Sequence, residues 1–422
     1  MGLVDLLRRC PDSRAAELLQ RLVGFQTRAV QDNGQYAHIG FQVGEVAKIG
    51  LIHNAVPNVA LAYVATHGRA FLAPGQFEAI GERLRASFGV LDQHYCNDDP
   101  RSGVCNQEYA RTWSRMLYGE AFGDPRWRER AHQELHQFIA AFHRRGWPDF
   151  DCAGTLRSCY DPSETFEPAE YYGLMIEPLL LGWRLYGDAI FIEEAIALAR
   201  HIARSAWVDT TGNTRLHRQW FKTPHGYQKI NGPMCISGAG HTAAAIHALL
   251  KHKPDAELAD FIERLNATYA HYQHPAGFFL SATGWQSELD VAPSTAWHAH
   301  DFFHFAQLAT PDESFWDTFF EPRPRAAVLL GHQCFYIEQG AHWAIESYLT
   351  HDDFQLYGRK DHDRFFLRPI PWVKDMAPMP PGFDFPEVPD FWKTDEGILL
   401  AQGDPASLDI ASFELPFLGT NT

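Results

Sequence analysis

The chain has 422 residues, 45% of them hydrophobic and 14% aromatic, enough to bury one large core or two smaller ones. Its net charge of −16, from 52 acidic and 36 basic residues, argues against nucleic acid as a partner and against a long polyanionic substrate. Seven cysteines with no CxxC spacing point to free thiols in a reducing, cytoplasmic compartment, and no apolar run reaches the ~20 residues of a membrane span.

In chain order, the opening MGLVDLLRRC is interrupted by Asp5, Arg8 and Arg9 and reads as neither a secretory signal nor an anchor. Helices are predicted over 13–25, where Ser13 stands at the cap, over 40–67 with a break at Pro57, and over 75–88. Helical pairs follow: 105–119 with 124–144, 167–186 with 188–206, 236–252 with 255–272, and 292–309 with 312–331. A last helix is predicted over 336–350. The first member of each pair is small and apolar, as in CISGAGHTAAAIHALLKH, and the second is charged on one face, as in DAELADFIERLNATY. First members therefore read as inner helices and second members as outer ones. The connectors 145–166, 207–235 and 273–291 are long and rich in Gly and aromatics, a pattern that usually carries function. Residues 366–422 hold many prolines and few helix formers.

The hairpins repeat. YGEAFGDPRWRERAHQELHQFI and YGDAIFIEEAIALARHIA match with one offset of 64, Asp124 onto Asp188, Glu129 onto Glu193 and Ala131 onto Ala195. A helical hairpin cannot bury its apolar face alone and must stack on copies of itself. The expected fold is all-α: an (α/α)6-type toroid over 1–365, with 366–422 as an extended Pro-rich tail packed on it. The open end faced by the inner-helix starts is the expected site.

Residues 174–215, LMIEPLLLGWRLYGDAIFIEEAIALARHIARSAWVDTTGNTR, resemble the unsaturated glucuronyl and rhamnogalacturonyl hydrolases. Those toroid enzymes have a helix of the MNLPLL-WA type, a TGD turn, an outer helix and a DGST-H loop. Thr211-Gly212-Asn213-Thr214 and His217 stand in the place of that loop, and Gly226-Tyr227 with SGAGHTAAAIH in the place of the family's G-Y loop and RGQAW helix. The resemblance covers about a hundred residues and implies the toroid. It also departs from the family: Glu170, Tyr171 and Tyr172 stand where the general-acid Asp is found, and the Arg and Trp of RGQAW are absent. Toroid polysaccharide lyases, which rely on Tyr, His, Asn and Arg, are the nearer likeness in site residues.

The candidate catalytic residues are Tyr171, Tyr172 and Glu170 at one inner-helix start, His241 behind Gly238-Ala239-Gly240, and His298. A tyrosine beside a cation can act as base and then acid in an elimination; the structural alternative is a core aromatic pair or a satisfied core His. Candidate binding residues are Asn106, Arg111 and Arg115 for a uronate carboxylate, Trp297, His300 and Asp301 for a stacked sugar, and His342 with Glu346, expected to share a helix face. His298 and His300 are a weak metal signal with no third ligand evident, and neither metal nor cofactor is expected. Three motifs are set aside. His132-Gln133-Glu134-Leu135-His136 lacks the glutamate of a zinc-protease helix, GAGHTA at 238–243 has no βαβ context, and the mixed charges at 360–364 read as solvated surface.

These residues lead to β-elimination at a glycosidic bond beside a uronic acid, with Tyr and His moving protons and Arg, Asn or His neutralising the carboxylate. A hydrolase using Glu167, Glu170, Glu288, Asp290 or Asp301 is the alternative, followed by a sugar epimerase, a terpenoid dehydratase and a non-catalytic binder. The expected partner is a short oligosaccharide, with no nucleic acid and no membrane; homo-oligomerisation is left open.

Overall fold

The computed structural model describes residues 1–28, 51–94, 105–144, 155–156, 167, 171–208, 212–216, 219–223, 226–230, 234–235, 239–272, 282–283, 306 and 308–320. Beyond these it describes only strand backbones within 325–402. The chain divides into two compact units. One holds 1–37, 49–271 and 300–320; the other holds 38–48, 272–299 and 321–422.

The first unit is an α/α toroid. Its helices are α1 (Gly2–Arg9), α2 (Ser13–Arg28), α3 (Leu51–His67), α4 (Gln76–His94), α5 (Cys105–Phe122), α6 (Pro125–Phe142), α7 (Gly173–Tyr186), α8 (Ala189–Ser205), α9 (Ala239–Leu250), α10 (Ala256–Tyr272) and α11 (Glu313–Phe320). Inner helices α3, α5, α7 and α9 pack side by side in that order, and α4, α6 and α8 back them. Composition explains the layering. Helix α5 is buried on every side from Cys105 to Gly119, save Gln107. Helix α6 buries only Ala131, Glu134, Leu135, Phe138, Ile139 and Phe142, one stripe at helical spacing. Each fully buried Leu or Phe of such a stripe contributes about 1.5–3 kcal/mol.

The repeated turn has a physical basis. Gly187 closes α7 at φ 81°, where a side chain would be strained, and its N–H returns to Trp183 O at 2.9 Å. Gly123, just past α5, has the same left-handed backbone at φ 66°. The first and last helices of this unit also meet: Arg9 donates to the carbonyls of Ala306 and Ala309, Trp316 Nε1 donates to Cys10 O at 2.9 Å, and Arg14 pairs with Asp317 at 2.9 Å.

Short two-stranded elements lie in the connectors: β1 (His143–Arg144) with β2 (Thr155–Leu156), β3 (Trp207–Val208) with β4 (Thr214–Arg215), and β5 (Gln219–Thr223) with β6 (Gly226–Ile230). Two further two-residue strands are β7 (Met234–Cys235) and β8 (Ala282–Thr283). The second unit carries a seven-stranded antiparallel sheet that corrects the sequence reading. Its strands are β9 (Arg325–Leu330), β10 (Gln333–Glu338), β11 (His342–Ser347), β12 (Phe354–Asp361), β13 (Arg364–Pro369), β14 (Lys393–Thr394) and β15 (Gly397–Gln402). They run in the order β14-β15-β13-β12-β11-β10-β9. The helix expected over 312–331 stops at Phe320, and that expected over 336–350 is β10 and β11 instead. Segments such as AAVLL and CFYIE are short, β-branched and aromatic, and periodicity alone does not separate them from buried helix. Past 365, the described residues are those of β13, β14 and β15, which belong to the sheet.

A second group of ionisable residues gathers around Asp5 of α1. Tyr63 of α3 donates to Asp5 of α1 at 2.6 Å. Glu177 of α7 is half-buried, and its pKa is raised to about 7, first by burial and then by the Asp5 carboxylate.

A Cβ on Gly173 would lie 2.6 Å from the backbone C and O of His241, where α7 meets α9. Gly173→Ala should lower stability by about 1–3 kcal/mol, seen as a reduced urea midpoint at constant m. Gly89→Ala, with open space around it on α4, should raise stability by about 0.5–1 kcal/mol; equal effects at the two sites would refute the close approach. Glu177 keeps its proton up to about pH 7 when folded, against 4.5 for an ordinary glutamate. The native state therefore binds more protons across that window, and stability falls as pH rises through it. Glu177→Gln should be about 3 kcal/mol more stable than the parent at pH 8 and level with it at pH 4; a pH-independent difference in thermal midpoint would refute this.

Candidate active site

Three inner helices meet at His241. Gly173 opens α7 flush against α9, and its N–H donates to Thr242 Oγ1 at 3.0 Å. From α5, the Trp113 ring lies 5.5 Å from the His241 ring at 40°. His241 is 3% exposed and Thr242 fully buried. The two tyrosines ahead of α7 part company. Tyr172 is 1% exposed and stacks at 5.9 Å on His201 of the outer helix α8, so its ring sits between the layers. Tyr171 is half-buried.

The first turns of α5 add a polar cluster. Asn106, Glu108 and Arg111 are all buried, and Glu108 pairs with Arg111. Arg111 Nε and Nη1 and Asn106 Oδ1 have no hydrogen-bond partner among the described residues. Leaving such buried atoms unsatisfied costs about 1–3 kcal/mol each. Burial raises the Glu108 pKa, with the Arg111 guanidinium pulling the other way. Cys105 is pushed well above the ordinary thiol range, by burial first and then by the Glu167 and Glu108 carboxylates. Glu167, 2% exposed, therefore lies near the start of α5 while preceding α7 in the chain.

Arg115 has a different role. It is wholly buried, with one terminal nitrogen on Glu134 and the other on Asp92. Arg130 joins the same carboxylates at 2.8 and 3.2 Å, and Thr112 Oγ1 donates to Glu134 at 2.5 Å. Trp127 lies 5.2 Å from the Arg115 guanidinium. Burial lowers the Arg115 pKa to about 10, against the pull of Glu134, so it remains charged at neutral pH. This network joins α4, α5 and α6 and leaves Arg115 no terminal nitrogen for a substrate. The expected Arg111–Arg115 clamp reduces to Arg111 alone.

A buried relay escaped the sequence reading. Tyr109 Oη lies 2.7 Å from His143 Nε2, and His143 Nδ1 lies 2.6 Å from Glu194 Oε2. The carboxylate holds the proton on Nδ1, so Nε2 accepts from the tyrosine. All three are buried, and they come from α5, the end of α6 and α8. One signal was present in the sequence: Glu194 interrupts the apolar stripe of Phe191, Ala195 and Leu198, where an acid needs a partner.

Two of the remaining candidates lie in the second unit. His342 and Glu346 belong to β11 in the second unit, paired in register with Arg359 and Cys334. Four residues along a strand span about 13 Å, not one helical turn, so the expected acid–base pair is lost. Glu170, Glu288, Asp290, Trp297, His298, His300 and Asp301 lie outside the described residues. Among the described residues, no helix is long and apolar enough to cross a membrane.

No protein-family model matches the chain, and no curated protein matches it. Solved structures do. The unsaturated glucuronyl hydrolase of Bacillus sp. GL1, responsible for the degradation of glycosaminoglycan, is similar at 13% identity and a TM-score of 0.52, over 72% of this chain and 81% of that one. A sugar epimerase from a ruminal bacterium is similar at 12% identity and a TM-score of 0.50, over 74% of this chain and 86% of that one. At such identities the likeness is one of fold, and that fold is the α/α toroid.

Proposed function

We propose that the protein is a carbohydrate-active enzyme that holds a short oligosaccharide near the starts of α5, α7 and α9. On this reading it cleaves a glycosidic bond beside a uronate by β-elimination. The observation that carries the proposal is the meeting of three inner helices at one buried imidazole, His241, in a chain that also buries, at the first turns of α5, polar atoms of Asn106 and Arg111 with no partner among the described residues. Helix N-termini favour an anion, and the Arg111 guanidinium suits a carboxylate. Neutralising that carboxylate acidifies the C5 proton. Tyr171, the more exposed of the tyrosine pair, removes it and returns a proton to the leaving oxygen; His241 assists the transfer. Tyr172 and Arg115 become supporting residues, because interlayer packing and ion pairing occupy them. The similar folds of a glucuronyl hydrolase and a sugar epimerase are consistent with a sugar substrate. Cys10 and Cys105 are free thiols, in keeping with a cytoplasmic enzyme.

Hydrolysis is the second reading, favoured by Glu167, a buried carboxylate just ahead of α7. One experiment separates the two. Acidic and neutral oligosaccharides are incubated with the protein, recording both ultraviolet absorbance of an unsaturated product and new reducing ends. Elimination yields both signals. Tyr171→Phe and His241→Gln should then each lower kcat by about 10²–10⁴-fold, with Glu167→Gln within tenfold of the parent. Reducing ends without absorbance, abolished by Glu167→Gln and insensitive to Tyr171→Phe, would replace elimination by hydrolysis. Solvent deuterium in recovered sugar with no bond broken would make it an epimerase.

A further inference from the structure

We propose that His132, His136 and Asp188 form a binding site for a divalent transition metal, zinc by preference, on the outer layer of the toroid. The two histidines stand four residues apart on one face of α6, and Asp188 precedes α8 in the next hairpin. Both Nε2 atoms converge on a single carboxylate oxygen, Asp188 Oδ2, at 2.6 and 2.9 Å. The three donor groups lie within 4.8 Å of one another. Two imidazoles and a carboxylate are a ligand set suited to zinc, with water completing a tetrahedron.

A second observation concerns Asp188 itself. In the preceding hairpin its counterpart, Asp124, caps its own helix by accepting from Arg126 N at 3.1 Å. Asp188 occupies the same cap position and makes no such side-chain bond. Its carboxylate turns to the two histidines of the neighbouring hairpin instead, giving up a cap worth about 1 kcal/mol. The surroundings hold the imidazoles in place. His132 lies 4.4 Å from the Tyr186 ring, and both histidines rest against Phe191 at 5.8 and 4.8 Å. Tyr186 is in turn fixed by donating to Arg128 O at 2.7 Å. The ligand side chains are 35–45% exposed, so an ion has a path in and room for a water ligand.

Ligand atoms of a tetrahedral zinc stand about 3.3 Å apart, so part-exposed side chains need only small rotations to close around the ion. Each Nε2 would present its lone pair to the ion, with the ring proton on Nδ1. The missing glutamate at Gln133 rules out a protease-like reaction but not this coordination. The ion would cross-link α6 of one repeat to the start of α8 in the next, a structural role apart from the His241 site.

The test uses the full chain, stripped of metal by chelator and dialysed, then titrated with zinc chloride alone by calorimetry at neutral pH. One equivalent binding at micromolar affinity or tighter, with a thermal midpoint raised by a few degrees, is expected. His136→Gln and Asp188→Asn should each weaken binding at least tenfold, and the His132→Gln/His136→Gln pair should abolish it. Circular dichroism of the metal-free variants reports whether they fold. Affinity no tighter than millimolar, or one-equivalent binding retained in the folded double variant, would overturn the proposal.

Discussion

Burial of α5 on nearly every side is the constraint on which the rest of the helical unit depends. A helix enclosed that way has no solvent face on which to place a charge, yet it carries Glu108, Arg111 and Arg115. Each must find an opposite charge within the fold, because an isolated buried ion costs several kcal/mol. Arg115 finds Glu134 and Asp92 on two other helices, and in doing so sets the spacing of α4, α5 and α6. Removing one partner would strand the others, so this network is framework and not a reserve of substrate ligands.

The same logic sorts the candidate site. Residues whose polar atoms are occupied between the layers, Arg115 on its carboxylates and Tyr172 stacked on His201, support the architecture. At the starts of α5, α7 and α9 stand His241 where three helices meet, Arg111 with two nitrogens unpartnered among the described residues, Asn106, Glu167 and the half-buried Tyr171. The Tyr109–His143–Glu194 chain lies beside this set and crosses from the inner to the outer layer. It ties α5 to α8 and orients the imidazole through its Nδ1 bond to the carboxylate.

The two repeats diverge at one position with a structural consequence. Asp124 and Asp188 follow equivalent left-handed glycines, and both begin an outer helix. One closes its own helix end, and the other bridges to its neighbour. The divergence traces to the histidines of α6, which have no counterpart in α8: Ile196 and Arg200 stand 64 residues after them.

Much of the toroid was legible in the sequence. The 64-residue offset, the Gly-Asp turns and the contrast between apolar and amphipathic helices are local features, set by backbone geometry and hydrophobic spacing. They determined the hairpins and the inner and outer layers of the first unit. The sheet was not legible, because AAVLL and CFYIE satisfy a buried strand and a buried helix equally, and only pairing between strands decides. Nor were the partners of Arg115, the Tyr109–His143–Glu194 chain or the meeting of His132 and His136 with Asp188. Those depend on which side chains from distant segments share a space, which is fixed when the hairpins close into a ring and not before.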